Sequence, residues 1–114
     1  IQFISYNSER RIPSNYEVAI FRLVQESVNN AIKHGKSNLI IVKIEWLEAE
    51  INVVVKDNGA GFDTENVRQG AFGIIGMKER IELLKGSIKI SSDIGNGSTI
   101  LMKIPLPSKN EEIY

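Results

Sequence analysis

The sequence predicts an α/β fold of the α+β kind, a two-layer sandwich with helices on one face of a mixed five-stranded sheet. The first observation is the order of periodic segments, which runs strand, helix, two strands, helix, two strands along the chain. The second is size, because 114 residues fit a single domain with one hydrophobic core. We assign residues 1–107 to that domain and expect residues 108–114 to form a flexible tail.

The first strand and the loop after it open the chain. Residues 1–5 alternate weakly between apolar and polar side chains, as a strand does, and residues 6–14 are polar with a proline, as a loop is. Because the chain opens inside a strand, we interpret the sequence as a domain cut from a longer protein.

A long amphipathic helix is predicted next. Ser14 or Asn15 can cap its first turn, and it is expected to run to about His34, where Gly35 supplies a left-handed residue. At about 100° per residue, one set of apolar residues falls on a single arc that is expected to face the sheet. The set consists of Ile20, Phe21, Val24, Val28, Ala31 and Ile32.

The middle of the chain contains a predicted β-hairpin followed by a long loop. Residues 38–46 and 50–56 are rich in Ile and Val and are separated by a short turn at 47–49. Residues 57–73 contain four glycines and almost no periodicity. Loops of this length in a compact domain are usually functional or mobile, and we expect residues 62–72 to become ordered only when a ligand binds.

A second helix and a second hairpin are predicted in the last third of the chain. Helical spacing returns over residues 74–84 and is closed by Gly86. Two further strands are expected at 87–92 and 99–104, joined by a tight turn at residues 95–97.

Composition excludes several classes of function. Apolar residues make up 42% and charged residues 25%, with a net charge of zero, which does not favour nonspecific binding to nucleic acid or membranes. The absence of cysteine excludes disulfides, thiolate metal sites and cysteine nucleophiles. The longest apolar run, residues 39–42, is too short to cross a bilayer, and no signal sequence opens the chain.

The first helix also carries a polar arc. Its members are Glu26, Asn30, Lys33 and His34. The other three lie three or four residues from Asn30, so all can reach one point. An amide oxygen can ligate Mg²⁺, a lysine neutralises phosphate charge, and a carboxylate can orient or deprotonate a nucleophile. The arc therefore suits a metal-bound polyphosphate, although an ordinary solvated face has the same pattern.

A second candidate site is the DNGAGF motif at residues 57–62, which directly follows a hydrophobic strand. Asp57, at the end of a strand, can accept a hydrogen bond from an exocyclic amine. Gly59 and Gly61 have no side chains, so a flat ring can approach the backbone there. Taken alone, the motif is equally compatible with a tight turn.

Two further glycine motifs are weaker signals by themselves. Gly70, Gly73 and Gly76 are three residues apart and lead into the second helix, whose N-terminus offers N–H groups to phosphate. A flexible linker is the alternative. GNGST, at residues 95–99, is typical of a hairpin turn, and its hydroxyls can also reach a ring held by Asp57.

Together these motifs resemble the ATP-binding catalytic domain of bacterial two-component sensor histidine kinases, in the superfamily shared with DNA gyrase, the MutL repair proteins and a heat-shock chaperone. ESVNNAIKH is similar to the N box, DNGAGF to the G1 box, GAFGIIGMKER to the G2 region with the ATP lid, and GNGST to the final G box. The pattern looks most like the subfamily that includes the DegS and DesK kinases. The resemblance covers nearly the whole chain and implies a Bergerat-type ATP-binding fold.

The resemblance implies a role for each matching residue. Asn30 would ligate Mg²⁺, and Glu26 would lie near the metal and the γ-phosphate as a base or organiser. Lys33 and His34 would contact phosphates, and Asp57 would bind the adenine amine. The remaining nucleotide contacts would come from Gly59 and Gly61 beside the ring, Gly73, Gly76 and Met77 at the lid end and helix start, and Ser98 where the family often has Thr.

The resemblance also implies the reaction and its partners. The domain would lie in the cytoplasm, whether or not the full-length kinase is anchored in a membrane, and would bind ATP and Mg²⁺. In the full-length kinase it would transfer the γ-phosphoryl group to a histidine on a separate dimerisation helix, for onward transfer to a response-regulator aspartate. The only histidine here is His34, inside the N box. We therefore expect a monomeric fragment that binds nucleotide without phosphorylating itself and that contacts neither nucleic acid nor a membrane.

Three alternatives share the fold. A free-standing anti-sigma-type serine kinase would place phosphate on a serine of its partner. A non-catalytic ATP-binding module would bind without transfer, although the presence of Glu26 and Asn30 argues against it. A gyrase-type ATPase is disfavoured because the chain is short and has no transducer segment.

Overall fold

The computed structural model describes residues 1–6, 12–33, 36–61 and 73–107. The helices and strands in these ranges lie close to the predicted segments and follow the predicted order. They are β1 (Gln2–Tyr6), α1 (Ser14–Lys33), β2 (Ile40–Trp46), β3 (Glu50–Asp57), α2 (Ile74–Leu83), β4 (Ser87–Ser92) and β5 (Ser98–Pro105).

One mixed sheet of five strands has the spatial order β1-β2-β3-β5-β4. β1 runs parallel to β2, because α1 connects them and returns the chain to the same end of the sheet. The other neighbouring strands are antiparallel. Both helices pack on one face of this sheet, which confirms the predicted two-layer sandwich.

The hydrophobic core lies between that face and the helices. Alternate residues of β3, namely Ile51, Val53 and Val55, are buried, and so is Met102 on β5. A strand points successive side chains to opposite faces, so these rows identify the face that the helices cover. Asp57 continues the buried row of β3, which directs its side chain to the helix side of the sheet.

The buried face of α1 differs from the predicted arc. Ile20 and Ala31 are buried as predicted, but Phe21 and Ile32 are 65% and 50% exposed, so their assignment to the sheet-facing side was wrong. Leu23, which the predicted arc omitted, is fully buried. The helix carries more apolar residues than the sheet covers, and apolar character alone does not say which of them are inside.

The end of α2 is closed by a Schellman-type pattern. Lys85 donates its N–H to the Glu82 carbonyl, and Gly86 donates to the Ile81 carbonyl, both at 2.9 Å. The left-handed residue is Lys85, with φ of 59°, and Gly86 follows it as the closing residue. Glycine is needed at position 86 because a Cβ there would lie 2.5 Å from the carbonyl oxygen of Lys103.

The connection between β4 and β5 is one residue shorter than the interval between the two predicted strands, residues 93–98, and it contains the predicted turn residues 95–97. Ser92 pairs with Ser98 across the two strands, so residues 93–97 all belong to the connection. This loop contacts the loop that follows β3, because Gly95 donates its N–H to the Ala60 carbonyl at 2.5 Å.

Several predictions fall on parts of the chain outside the described residues. They concern the predicted lid at residues 62–72 with Gly70, the helix end at His34 and Gly35, and the predicted tail at residues 108–114. Neither α1 nor α2, the helices within the described ranges, is long and apolar enough to cross a membrane.

Candidate nucleotide-binding site

Asp57 is the last residue of β3, at the end of the central strand of the sheet. Its neighbours on the adjacent strands are Ile40 of β2 and Ser98 of β5. With 8% of its surface exposed, Asp57 is one of two buried polar residues in the described part of the chain. A buried carboxylate is costly unless donors compensate for the lost water, so its partners define the site.

Three groups donate hydrogen bonds to the Asp57 carboxylate. The Ser37 hydroxyl and the Gly59 N–H both donate to Oδ1, each at 2.8 Å. The Ser98 hydroxyl donates to Oδ2 at 2.5 Å. The donors belong to the loop before β2, the loop after β3 and the start of β5, so one carboxylate joins three segments that are distant in the sequence.

The loop after Asp57 is fastened to the loop before β2. Asn58 donates its backbone N–H to the Leu39 carbonyl at 3.2 Å, and its side-chain Oδ1 accepts from the Leu39 N–H at 3.0 Å. Asn58 Nδ2 also donates to Asn38 Oδ1 at 2.6 Å. These bonds hold the loop before β2, and with it Ser37, beside Asp57.

Gly61 and Gly97 allow the loops at this end of the sheet to approach one another. Both have positive φ, 68° and 77°, a region that favours glycine. A Cβ on Gly97 would collide with the Asp57 carbonyl oxygen, and a Cβ on Gly61 would collide with the Asp93 carbonyl oxygen. The side-chain position of Gly61 thus faces the β4–β5 loop, and the contact of Gly61 with a ring stays a prediction.

Glu26 of α1 lies against Gly73 at the start of α2. A Cβ on Gly73 would collide with Oε1 of Glu26. Gly73 is the N-cap of α2, with φ of 64°, and no side chain within the described ranges caps this helix end. The N–H groups at a helix N-terminus favour negative charge. The Glu26 carboxylate therefore lies beside a helix end that attracts anions.

The other residues predicted to bind phosphate or metal lie on these same two helices. Asn30 is half-buried and Lys33 is exposed on α1. Gly76 is in the first turn of α2, and no residue in the described ranges outside its own helix turn would lie within 4 Å of a Cβ there. Met77 is 1% exposed, and its Sδ lies 3.7 Å from the hydroxyl of Ser27, so only its backbone remains for a ligand. The nucleotide contacts of all these residues stay predictions.

The side-chain oxygens at this site suit Mg²⁺ only if phosphate oxygens of the nucleotide complete its coordination. No group of three or more His, Cys, Asp or Glu side chains within the described ranges could hold a metal ion. Mg²⁺ usually keeps several waters and takes only one or two protein oxygens when substrate phosphates supply the others. The amide oxygen of Asn30, one turn from Glu26, fits that kind of site.

Ser37 is a residue of the site that no sequence motif predicted. It lies 20 residues from Asp57 in the sequence. Its N–H donates to the Ala31 carbonyl at 3.1 Å, which fixes it to the last turn of α1. No local signal marks it, because a serine in a polar loop is ordinary.

Comparisons with known proteins agree with the motifs at this site. Residues 15–108 match the family of histidine kinase-, DNA gyrase B-, and HSP90-like ATPases. The chain is 44% identical over 108 residues to the signal transduction histidine-protein kinase/phosphatase DegS of Bacillus subtilis (strain 168), covering 92% of this chain and 28% of that protein. DegS of Brevibacillus brevis is 41% identical over 109 residues, which cover 96% of this chain and 28% of that protein.

A solved structure has the same fold. The histidine kinase domain of the blue-light activated histidine kinase of Erythrobacter litoralis EL346 superimposes with a TM-score of 0.73 at 20% identity, covering 92% of this chain and 51% of that one. At this level of identity the likeness concerns the fold.

The fold, the motifs and the matched residues define the class of protein. The chain belongs to the family of histidine kinase-, DNA gyrase B-, and HSP90-like ATPases, whose members bind ATP. Within this family it is a sensor histidine kinase ATPase domain of the DegS-like kind, as its motifs predicted. It spans about 28% of the length of the curated relatives that it matches.

Proposed function

We propose that this domain binds Mg-ATP and delivers the γ-phosphoryl group to a histidine on a separate helical dimerisation domain of the same kinase. The phosphoryl group then passes to an aspartate of a response regulator, and the reaction takes place in the cytoplasm, where ATP and the regulator are available. The observation that carries the proposal is the Asp57 carboxylate, buried at the end of the central strand and held by three donors.

Asp57 supports the adenine half of the proposal. An ionised carboxylate only accepts hydrogen bonds, so its ligand must be a donor such as an exocyclic amine. The serine hydroxyls and the Gly59 N–H hold the carboxylate in one orientation before a ligand arrives. Such preorganisation reduces the entropy lost on binding.

The contact between α1 and α2 supports the phosphate half. The N–H groups at the start of α2 can donate to phosphate oxygens, and Lys33 adds a positive charge from the last turn of α1. Bound Mg²⁺ would neutralise part of the phosphate charge, with Asn30 as its protein ligand. Glu26 Oε1, which lies beside Gly73, would then orient the acceptor imidazole or take its proton.

The alternatives are not favoured by the relatives. Both DegS proteins are named as histidine-protein kinase/phosphatase, and neither name refers to a serine kinase or a non-catalytic module. We therefore propose that this domain phosphorylates a histidine on the separate dimerisation domain.

Transfer to a separately supplied acceptor tests this proposal. The domain is mixed with labelled Mg-ATP and the purified dimerisation domain of Bacillus subtilis DegS, and the phosphorylated residue is identified by its acid lability. We expect label on histidine of the added domain and none on this chain. Glu26→Gln keeps the side-chain size and should still bind nucleotide, but transfer should be roughly a hundredfold slower because a positioned acid–base group contributes about that much.

Each other result names a different function. Acid-stable label on serine would indicate a serine kinase. Tight nucleotide binding without any transfer would indicate a non-catalytic module. Equal transfer rates for the wild type and Glu26→Gln would remove Glu26 from the chemistry.

A further inference from the structure

The hydroxyl of Ser37 reaches the carboxylate that faces the proposed base. We infer that Ser37 is a positioning residue that makes the site select bases with an exocyclic amine, as in adenine, over bases with a carbonyl there, as in hypoxanthine. The inference rests on the proposed function, because it requires Asp57 to be the group that meets the base. Ser37 acts through Asp57 and not by touching the ligand's reacting atoms.

Asp57 has few acceptor positions left for a ligand. A carboxylate has roughly four lone-pair positions for hydrogen bonds. Oδ1 accepts from Ser37 and Gly59, and Oδ2 accepts from Ser98. With Oδ1 saturated by described residues, the position that remains for a ligand is on Oδ2.

The hydroxyl protons of Ser37 and Ser98 point to Asp57 and not to a ligand. Each serine hydroxyl has a single proton to donate, and both Ser37 and Ser98 donate theirs to Asp57. Towards a ligand these hydroxyls can therefore only accept. An amine donates to such a surface, whereas a carbonyl oxygen meets only lone pairs and leaves its own acceptor unpaired, which is costly in a part-buried site.

Ser37 is anchored to helix α1 by its backbone. Its backbone N–H is bound to the Ala31 carbonyl on α1, so the hydroxyl is held at a fixed position relative to Asp57. Without the hydroxyl, Gly59 still donates to Oδ1 and Ser98 to Oδ2, but the carboxylate has lost one of its three described donors and can turn further from a mismatched carbonyl. Loss of Ser37 should therefore weaken binding of the correct base and relax rejection of the wrong one.

Calorimetry with two nucleotides tests this inference. The probes are non-hydrolysable imido analogues of ATP and of inosine triphosphate, titrated into wild type, Ser37→Ala and Ser37→Thr. We expect Ser37→Ala to bind the ATP analogue roughly three- to tenfold more weakly, the cost of one hydrogen bond, and to show a smaller preference for it over the inosine analogue. Ser37→Thr keeps the hydroxyl and should restore the preference.

Two controls separate selectivity from damage to the fold. Ser91→Ala removes an exposed serine on β4 and should leave both affinities unchanged. Circular dichroism confirms folding. If Ser37→Ala does not fold, Ser37→Cys, with a similar volume and a weaker donor, takes its place and should show the same loss of preference.

The outcomes distinguish this inference from the proposed function. If wild type binds neither analogue, the proposed function fails. If wild type prefers the ATP analogue and Ser37→Ala weakens both analogues by the same factor, Ser37 is merely structural and the inference is wrong. Loss of preference in Ser37→Ala with recovery in Ser37→Thr supports it.

Discussion

Among single residues, Asp57 combines burial with the largest set of hydrogen-bond donors described at the site. Asp57→Asn replaces one acceptor oxygen with a donor and leaves at least one of these donors without its partner. A buried polar group left unpaired costs about 1–3 kcal/mol. We expect nucleotide affinity to fall by roughly ten- to a hundredfold.

The same carboxylate should make wild type prefer ATP to GTP, because guanine has a carbonyl where adenine has an amine. Competition between the two nucleotides for one fluorescent analogue measures this preference. Equal affinity for GTP and ATP would mean that Asp57 does not contact the base.

Asn30 is the second residue whose role can be isolated. It lies one helical turn from Glu26, whose carboxylate lies against the start of α2. If Asn30 ligates Mg²⁺, Asn30→Ala should weaken binding of Mg-ATP by at least tenfold and leave binding of metal-free ATP nearly unchanged. Calorimetry with and without Mg²⁺ makes the comparison, and equal losses in both conditions would contradict the metal assignment.

At the scale of elements, α1 is the helix whose packing the sequence leaves ambiguous. Leu23 and Phe21 are close in sequence and both apolar, yet one is fully buried and the other is 65% exposed. Leu23→Ala should lower the free energy of unfolding by about 2–5 kcal/mol, because it removes core contacts and leaves a cavity.

Phe21→Ala is the matched control and should change the free energy of unfolding by less than about 0.5 kcal/mol. Urea denaturation of the two variants compares them directly. The reverse order of effects would mean that α1 presents its Phe21 side to the sheet.

At the scale of the whole molecule, the site depends on three loops that meet at one end of the sheet, so folding and binding are linked. A nucleotide that binds only the folded domain stabilises it by about 2.7 kcal/mol at a concentration a hundredfold above its Kd. Thermal melting of wild type with ADP should therefore show a clear rise in Tm.

Gly97→Ala should reduce this rise, because the new Cβ collides with the Asp57 carbonyl and displaces Ser98 from the carboxylate. Gly95→Ala is the control. Gly95 also has positive φ, 85°, but no described residue would lie within 4 Å of a Cβ there. The variant should therefore lose about 1 kcal/mol of stability, and ADP should still raise its Tm. If ADP raises the Tm of Gly97→Ala as much as it raises that of wild type, nucleotide binding does not depend on this packing.

The sequence by itself determined the order and approximate bounds of the elements. Strand β4 was predicted at 87–92 and is observed there, and β3 and α2 differ from prediction by one residue at one end. These features follow from local periodicity and from glycine positions, which short stretches of chain contain in full. The four motifs together, including the one at Asp57, likewise pointed to the family without knowledge of the fold.

Only the tertiary structure decided which side of α1 is buried and which groups hold Asp57. The apolar residues of α1 cover too much of its surface for periodicity to choose between Leu23 and Phe21, and the choice depends on where the sheet lies. Ser37 became part of the site because the chain folds back over 20 residues to bring it to Asp57. The physical reason is that a hydrogen bond between distant segments depends on how whole elements pack, and no local pattern of residues records that packing.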